Sequence, residues 1–193
     1  FVINLDKRKD RLSQVSQDLH SIGIHHVNRM KAIENPIGLL GCAISHCRCI
    51  EKAGENDWDY VLIMEDDVYF PHPELVGDFI DKHINKDFDV LFLGCVCQRG
   101  KQEGDLIRVL QSTCLHCYIV KKHYYTRLLG NFYESYFKKI KSCKTYLQHN
   151  GKWYVPLKCL ATQRIGYSDN FYKISDQQKQ HFNPRIEINN DLS

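Results

Sequence analysis

The chain has 193 residues, 43% of them hydrophobic and 25% charged, with a net charge of +3. That length suits one domain with a substantial core, and the composition is that of a globular fold rather than a low-complexity chain. So small a charge does not argue for nucleic acid, and no apolar run approaches the roughly 20 residues of a membrane span.

Residues 1–5, Phe-Val-Ile-Asn-Leu, read as a short buried strand, too short for a signal peptide. A helical stripe of Leu12, Val15, Leu19 and Ile22 follows, and Gly23 stops it. Residues 24–27 predict a second strand, so the chain opens as β-α-β. A further helix is predicted over residues 41–53, beginning Gly41-Cys42-Ala43-Ile44-Ser45-His46.

Next comes the apolar run Tyr60-Val61-Leu62-Ile63-Met64, a strand ending in Glu65-Asp66-Asp67. Three adjacent carboxylates at a buried strand end repel one another, and desolvation adds to the penalty. A hard divalent cation such as Mg²⁺ or Mn²⁺ relieves both, because it favours oxygen ligands. Strand ends are also where α/β sheets hold ligands. The plain alternative is an acidic turn that merely closes the strand.

Past Pro71 and Pro73 a helix carries Leu75, Val76, Phe79 and Ile80 on one face, and residues 89–94 predict an apolar central strand. Residues 100–105 read as a polar loop, and residues 106–109 and 115–120 as two strands, antiparallel at the sheet edge. A helix is predicted over 122–136 and a last strand over 153–160. Strands alternating with helices argue for an α/β fold, a mostly parallel twisted sheet with helices on both faces. The domain spans residues 1–176, followed by a polar tail over 177–193.

Nine cysteines leave at least one outside any disulfide. Cys95-Val96-Cys97 and Cys114-Leu115-His116-Cys117 invite a zinc reading, but residues three apart on a strand face opposite sides. No Asn-x-Ser/Thr acceptor occurs. Buried thiols in a reducing, cytoplasmic setting are the expectation.

Several segments in this order resemble glycosyltransferase family 25, the group of lipopolysaccharide and collagen galactosyltransferases. They are Phe1-Val2-Ile3-Asn4-Leu5-Asp6 with Arg8 and Arg11, then Gly41-Cys42-Ala43-Ile44-Ser45-His46, then Leu62-Ile63-Met64-Glu65-Asp66-Asp67-Val68, then Asp87-Phe88-Asp89-Val90-Leu91-Phe92-Leu93-Gly94. Gln163-Arg164-Ile165-Gly166-Tyr167-Ser168-Asp169 resembles the family's late Ser-Asp motif.

The resemblance implies a GT-A-type fold, a UDP-sugar donor, a divalent metal (Mn²⁺ or Mg²⁺) and transfer of galactose or glucose with inversion. The acceptor would be a glycan, a lipid-linked sugar or a hydroxylated protein. Glu65, Asp66 and Asp67 would stand for the family's Asp-x-Asp motif, with Asp67 and Glu65 on the metal and Glu65 and Asp66 toward the donor. Asn4, Leu5, Arg8 and Arg11 would meet the nucleotide, with Ser45, His46, Gln163 and Ser168 as further donor contacts. Arg8 and Arg11 are equally readable as solvated charges, Ser45 as a helix cap, and Gln163 and Ser168 as a polar turn.

Inversion requires a base for the acceptor hydroxyl, and Asp169 and Glu134 are the candidates. Family members carry an acid where residues 137–144 of this chain are basic, and Glu134 is the only acid between residues 122 and 155. The alternative reading is therefore a catalytically impaired member that binds nucleotide-sugar or protein.

Overall fold

The computed structural model describes residues 1–134, 147–148, 151–168, 173–175 and 185–187. Strand β1 (Val2–Asn4) is buried along its length and leads into helix α1 (Lys9–Ser21), which turns Val15 and Leu19 inward. Gly23 takes φ +81°, the left-handed conformation that closes a helix without a Cβ clash.

The strand expected at residues 24–27 is not there. The Ile24 amide donates to the Leu19 carbonyl at 2.9 Å, sealing the helix end, and its side chain packs with Val15 and Leu19. Strand β2 is instead Arg29–Lys31, parallel to β1 with Val2 opposite Arg29.

Helix α2 (Gly38–Glu55) precedes β3 (Tyr60–Glu65), from which the short β4 (Val68–Tyr69) departs. Helix α3 (Val76–His83) follows one 3-10 turn over Pro73–Leu75. Strands β5 (Val90–Glu103) and β6 (Leu106–Lys121) form a long hairpin. The expected loop at residues 100–105 shrinks to Gly104-Asp105, where Gly104 adopts φ +65°. Such two-residue connections need positive φ, which glycine supplies. The two strands predicted between residues 106 and 120 are one strand, and β6 is central rather than at an edge.

Helix α4 (Tyr125–Phe132) is followed by β7 (Leu147–Gln148), β8 (Trp153–Pro156), β9 (Thr162–Gln163), β10 (Gly166–Ser168), β11 (Lys173–Ser175) and β12 (Arg185–Glu187). The main sheet runs β12-β5-β8-β6-β3-β1-β2, with β5 and β6 also paired and β7 on β6. Strands β1, β2 and β3 are mutually parallel, as are β5, β8 and β12, and β6 opposes its neighbours. The expected α/β, GT-A-type sheet is thus largely parallel, with one antiparallel strand at its centre.

Alternation along β3 divides the core. Val61 and Ile63 pack with Ile50 and Ala53 of α2 and Leu128 and Phe132 of α4. Met64, with Leu62 against the same cluster, packs on the other side with Val15 and Leu19 of α1 and Val76 of α3. Helices therefore cover both faces. Each such side chain, buried as fully as Leu19, Ile63 and Phe92, stabilises the fold by about 1.5–3 kcal/mol. Among the described residues no helix is long and apolar enough to cross a membrane.

Candidate functional site

Glu65 is the last residue of β3, and Asp66 and Asp67 form the turn into β4. In that turn Glu65 and Asp67 share a hydrogen-bond partner that Asp66 does not. The Gln163 side-chain amide sits between the first pair, its Nε2 donating at 3.3 Å to Glu65 Oε2 and at 3.3 Å to Asp67 Oδ1. Asp66, nearly buried, accepts from Asn4 Nδ2 at 2.7 Å and from Arg11 Nη1 at 3.0 Å. Arg11 Nη1 also lies 3.6 Å from Asp67 Oδ2.

Each neighbour is placed by its own element. Asn4 ends β1, which runs beside β3, and its Oδ1 accepts from Arg29 Nε at 3.0 Å. Gln163 arrives because β9 pairs antiparallel with β4, setting it opposite Val68. The next residue anchors that pairing. Arg164 donates its backbone N–H to the Asp67 carbonyl at 2.7 Å, stacks its guanidinium over Tyr69 at 5.1 Å, and pairs with Asp18 on α1. Leu93 accepts the amides of Leu160 and Ala161, and the Ala161 carbonyl passes so close to Gly94 that a Cβ there would lie 1.6 Å from its oxygen. Only glycine permits that approach. His116 donates Nε2–H to the same carbonyl at 3.1 Å.

The electrostatics follow from two aspartates sharing one guanidinium, with Glu65 held against His46 beside them. Burial, then the charges of Glu65 and Asp66, push the Asp67 carboxyl up to about 7, and Arg11 offsets only part of this. Burial also raises Asp66 against the pull of Arg11 and Asn4. Glu65 goes the other way. Burial works against its charge, yet the His46 hydrogen bond and the positive potential of His46, His116 and Arg11 leave it below the usual carboxylate range. Glu65 and Asp67, brought to one partner at Gln163, form an oxygen-only pair whose crowding a hard cation would relieve. The residues present fit such an ion.

His46 is 1% exposed and reaches Glu65 Oε1 with Nε2 at 3.4 Å, while its Nδ1 lies 3.0 Å from the Tyr118 hydroxyl. Its ring stacks between Tyr118 and Phe132 at 5.7 and 5.8 Å. Ser45 has a different job. It lies two turns into α2, fully buried, donating to the Gly41 carbonyl at 2.7 Å and accepting from the Ile33 amide at 2.9 Å. It pins the helix to the preceding loop and is not a cap. Leu5 is half-buried and its carbonyl accepts the Arg8 amide, while Arg8 pairs with Asp10 at the start of α1. Glu134 is exposed, two residues beyond α4. Ser168 is placed as the last residue of β10. Asp169 and the basic stretch at 137–144 lie outside the described residues.

Sequence reasoning missed Cys42, Arg29, Tyr118 and the β6 bulge. Gly94 pairs with Cys117 and Val96 with Thr113, so Cys114-Leu115-His116 opposes a single residue. Cys114 there takes φ +67°, a left-handed conformation rare outside glycine. Burial, then the charges of Glu65 and Asp67, push its thiol up to about 12. A bulge is invisible to alternation, but the four-residue spacing of Cys42 and His46 was a readable sign of a shared helix face. An open cleft bordered by Asn4, Asp6, Lys9 and Arg29 begins at the same end of β1.

Residues 30–153 match the family model described as glycosyltransferase family 25 (LPS biosynthesis protein). No curated protein matches the chain. Among solved structures, nine chains match. One, described as the crystal structure of A197 from STIV, is 14% identical with a TM-score of 0.54, covering 91% of this chain and 93% of that one. At that identity the likeness bears on the fold alone.

Proposed function

Because the chain belongs to glycosyltransferase family 25, we propose that it moves galactose or glucose from a UDP-sugar to a hydroxyl acceptor, with inversion and with Mn²⁺ or Mg²⁺ at Glu65 and Asp67. The carrying observation is the convergence of both carboxylates on Gln163, 3.3 Å from each, in a centre where two largely buried aspartates share one guanidinium. A divalent ion bound there supplies Lewis-acid neutralisation of the departing diphosphate.

The protein's own side chains do the rest. Asn4 and Arg11 turn Asp66 away from the pair and fix the turn that presents Asp67. Arg11, beside both aspartates, carries the positive charge best placed to meet a phosphate oxygen. Gln163 holds the Glu65 and Asp67 oxygens on one side, ready for a common ligand. The cleft by Asn4, Asp6 and Arg29 is the place proposed for the nucleoside. A carboxylate, Asp169 or Glu134, takes the proton of the acceptor hydroxyl, which belongs to a glycan, a lipid-linked sugar or a hydroxylated protein.

Calorimetric titration with UDP tests this. Binding should tighten with Mn²⁺ and lose that dependence in Asp67→Asn; UDP binding indifferent to Mn²⁺ in the unaltered chain would overturn the reading. Asp169→Asn and Glu134→Gln assign the base, since only one of them should abolish transfer while leaving UDP binding intact.

The scarcity of acids between residues 122 and 155, where Glu134 stands alone, favours a second reading: a member that binds nucleotide-sugar without transferring it. Slow hydrolysis of UDP-sugar without acceptor separates the two. Tight UDP binding with no hydrolysis at all favours the binding module.

A further inference from the structure

We propose that Cys42, His46 and Glu65 form a second cation site, one for a soft ion of the zinc class, with Glu65 shared between it and the oxygen-only centre. Cys42 and His46 are four apart on α2 and so lie on one helix face. The end of β3 brings Glu65 to them. Cys42 Sγ lies 3.9 Å and His46 Nε2 3.4 Å from the same oxygen, Glu65 Oε1, and the three ligand atoms all fall within 4.8 Å of one another.

The nitrogen–oxygen separation of 3.4 Å is already what a tetrahedral ion requires. Bonds of about 2.3 Å to sulfur and 2.0 Å to nitrogen and oxygen put neighbouring ligand atoms roughly 3.3–3.6 Å apart. The sulfur, 3.9 Å from the Glu65 oxygen and within 4.8 Å of the imidazole nitrogen, closes the set by moving toward both. One thiolate and one imidazole make the donor set soft, whereas the Glu65 and Asp67 side offers oxygen alone. Three protein ligands leave one position open, as in zinc sites that carry a water. Cys42 is half-buried and outside any disulfide, and Glu65 is 19% exposed, so an ion can enter.

The surroundings already hold the imidazole as a ligand needs to be held. With an ion on Nε2, the ring proton sits on Nδ1 and donates to the Tyr118 hydroxyl oxygen, the outer-shell contact that orients metal-bound histidines. Stacking on Tyr118 and Phe132 fixes the plane of the ring. Glu65 then offers Oε1 to the soft ion while Oε2 faces Gln163 and the hard site. A zinc ion therefore draws on the carboxylate that the nucleotide-binding ion uses, and zinc should inhibit transfer. The soft site stands on its own geometry; only this antagonism rests on the proposed function.

Cobalt is the probe. The full chain with Co²⁺ should show a thiolate-to-cobalt charge-transfer band that Zn²⁺ abolishes by displacement. The band should vanish in Cys42→Ser and persist in Asp67→Asn. His46→Gln and Glu65→Gln should weaken cobalt binding by more than the roughly 10–100-fold that outer-shell changes cause, and Tyr118→Phe should fall within that range. Mn²⁺-dependent UDP binding should show the complementary pattern, lost in Asp67→Asn and Glu65→Gln but kept in Cys42→Ser. X-ray absorption at the zinc edge of the unaltered chain should find one sulfur among nitrogen and oxygen ligands, which needs no variant at all. No band, a band that survives in Cys42→Ser, or affinity unmoved by Glu65→Gln overturns the site. If UDP binding ignores Mn²⁺ while the cobalt pattern holds, the proposed function fails and this site stands.

Discussion

Two acidic centres in this protein are built on opposite charge ratios. At the end of β3, Asp66 and Asp67 share Arg11 while Glu65 lies against His46. At the tip of the β5–β6 hairpin the ratio inverts, and Asp105 alone meets Lys82 at 2.6 Å, His83 at 3.0 Å and Lys86 at 3.5 Å. The Lys82 hydrogen bond, with His83 and Lys86 behind it, holds the Asp105 carboxyl well below the usual range. Burial and like charges push Asp67 up to about 7. Excess cations around an acid serve the fold, tying α3 to the hairpin. Excess acids at a strand end burden the fold, and such a burden persists where a ligand relieves it.

The largest effect expected from breaking this contrast is on transfer. Asp67→Asn should lower it on the order of 10²–10³-fold, the scale of losing one preorganised electrostatic contact. In chelator, the same variant should melt no lower than the unaltered chain. A clear drop in its melting temperature would mean that Asp67 serves the fold after all.

Removing the single guanidinium comes next. Arg11→Met leaves two largely buried aspartates without their cation, and urea unfolding should show a loss of about 3 kcal/mol. Lys82→Ala at the other centre, where 42% of the Asp105 side chain is exposed, should cost well under about 1 kcal/mol. Equal losses would erase the distinction.

The pH dependence should have opposite signs. Between about 4 and 7 the folded chain keeps a proton on Asp67 that the unfolded chain has released. Unfolding therefore becomes easier as pH rises through that window and levels off above it, by at most a few kcal/mol. Asp105 contributes stability above its unfolded pKa near 3.8, and this is lost as pH falls below that value. Denaturant titrations across pH, with and without Asp67→Asn, isolate the first slope; a slope unchanged by the variant counts against it. Asp105→Asn should have the smallest effect, under about 1 kcal/mol at neutral pH, with transfer unaltered.

Much of the fold was legible because burial writes itself into periodicity. The stripe Leu12-Val15-Leu19 and the run 60–64 are α1 and β3, as expected. Reading failed where a pairing partner outvoted local pattern. Residues 24–27 carry apolar Ile24 and Val27, yet the register of Val2 on Arg29 moved the strand. Residues 100–103 are polar and still form the outer rungs of a hairpin, because Lys101 pairs with Arg108 and Gln102 with Ile107.

The same division holds at the site. Sequence alone determined that three acids stand together where a strand ends, because neighbours in the chain are neighbours in space over a few residues. Only the tertiary structure decided which acids face one another. Asn4 from β1, Arg11 from α1 and Gln163 from β9 come from distant parts of the chain. Their hydrogen bonds split Asp66 from Glu65 and Asp67, and no local pattern encodes contacts whose partners lie 55 to 98 residues away.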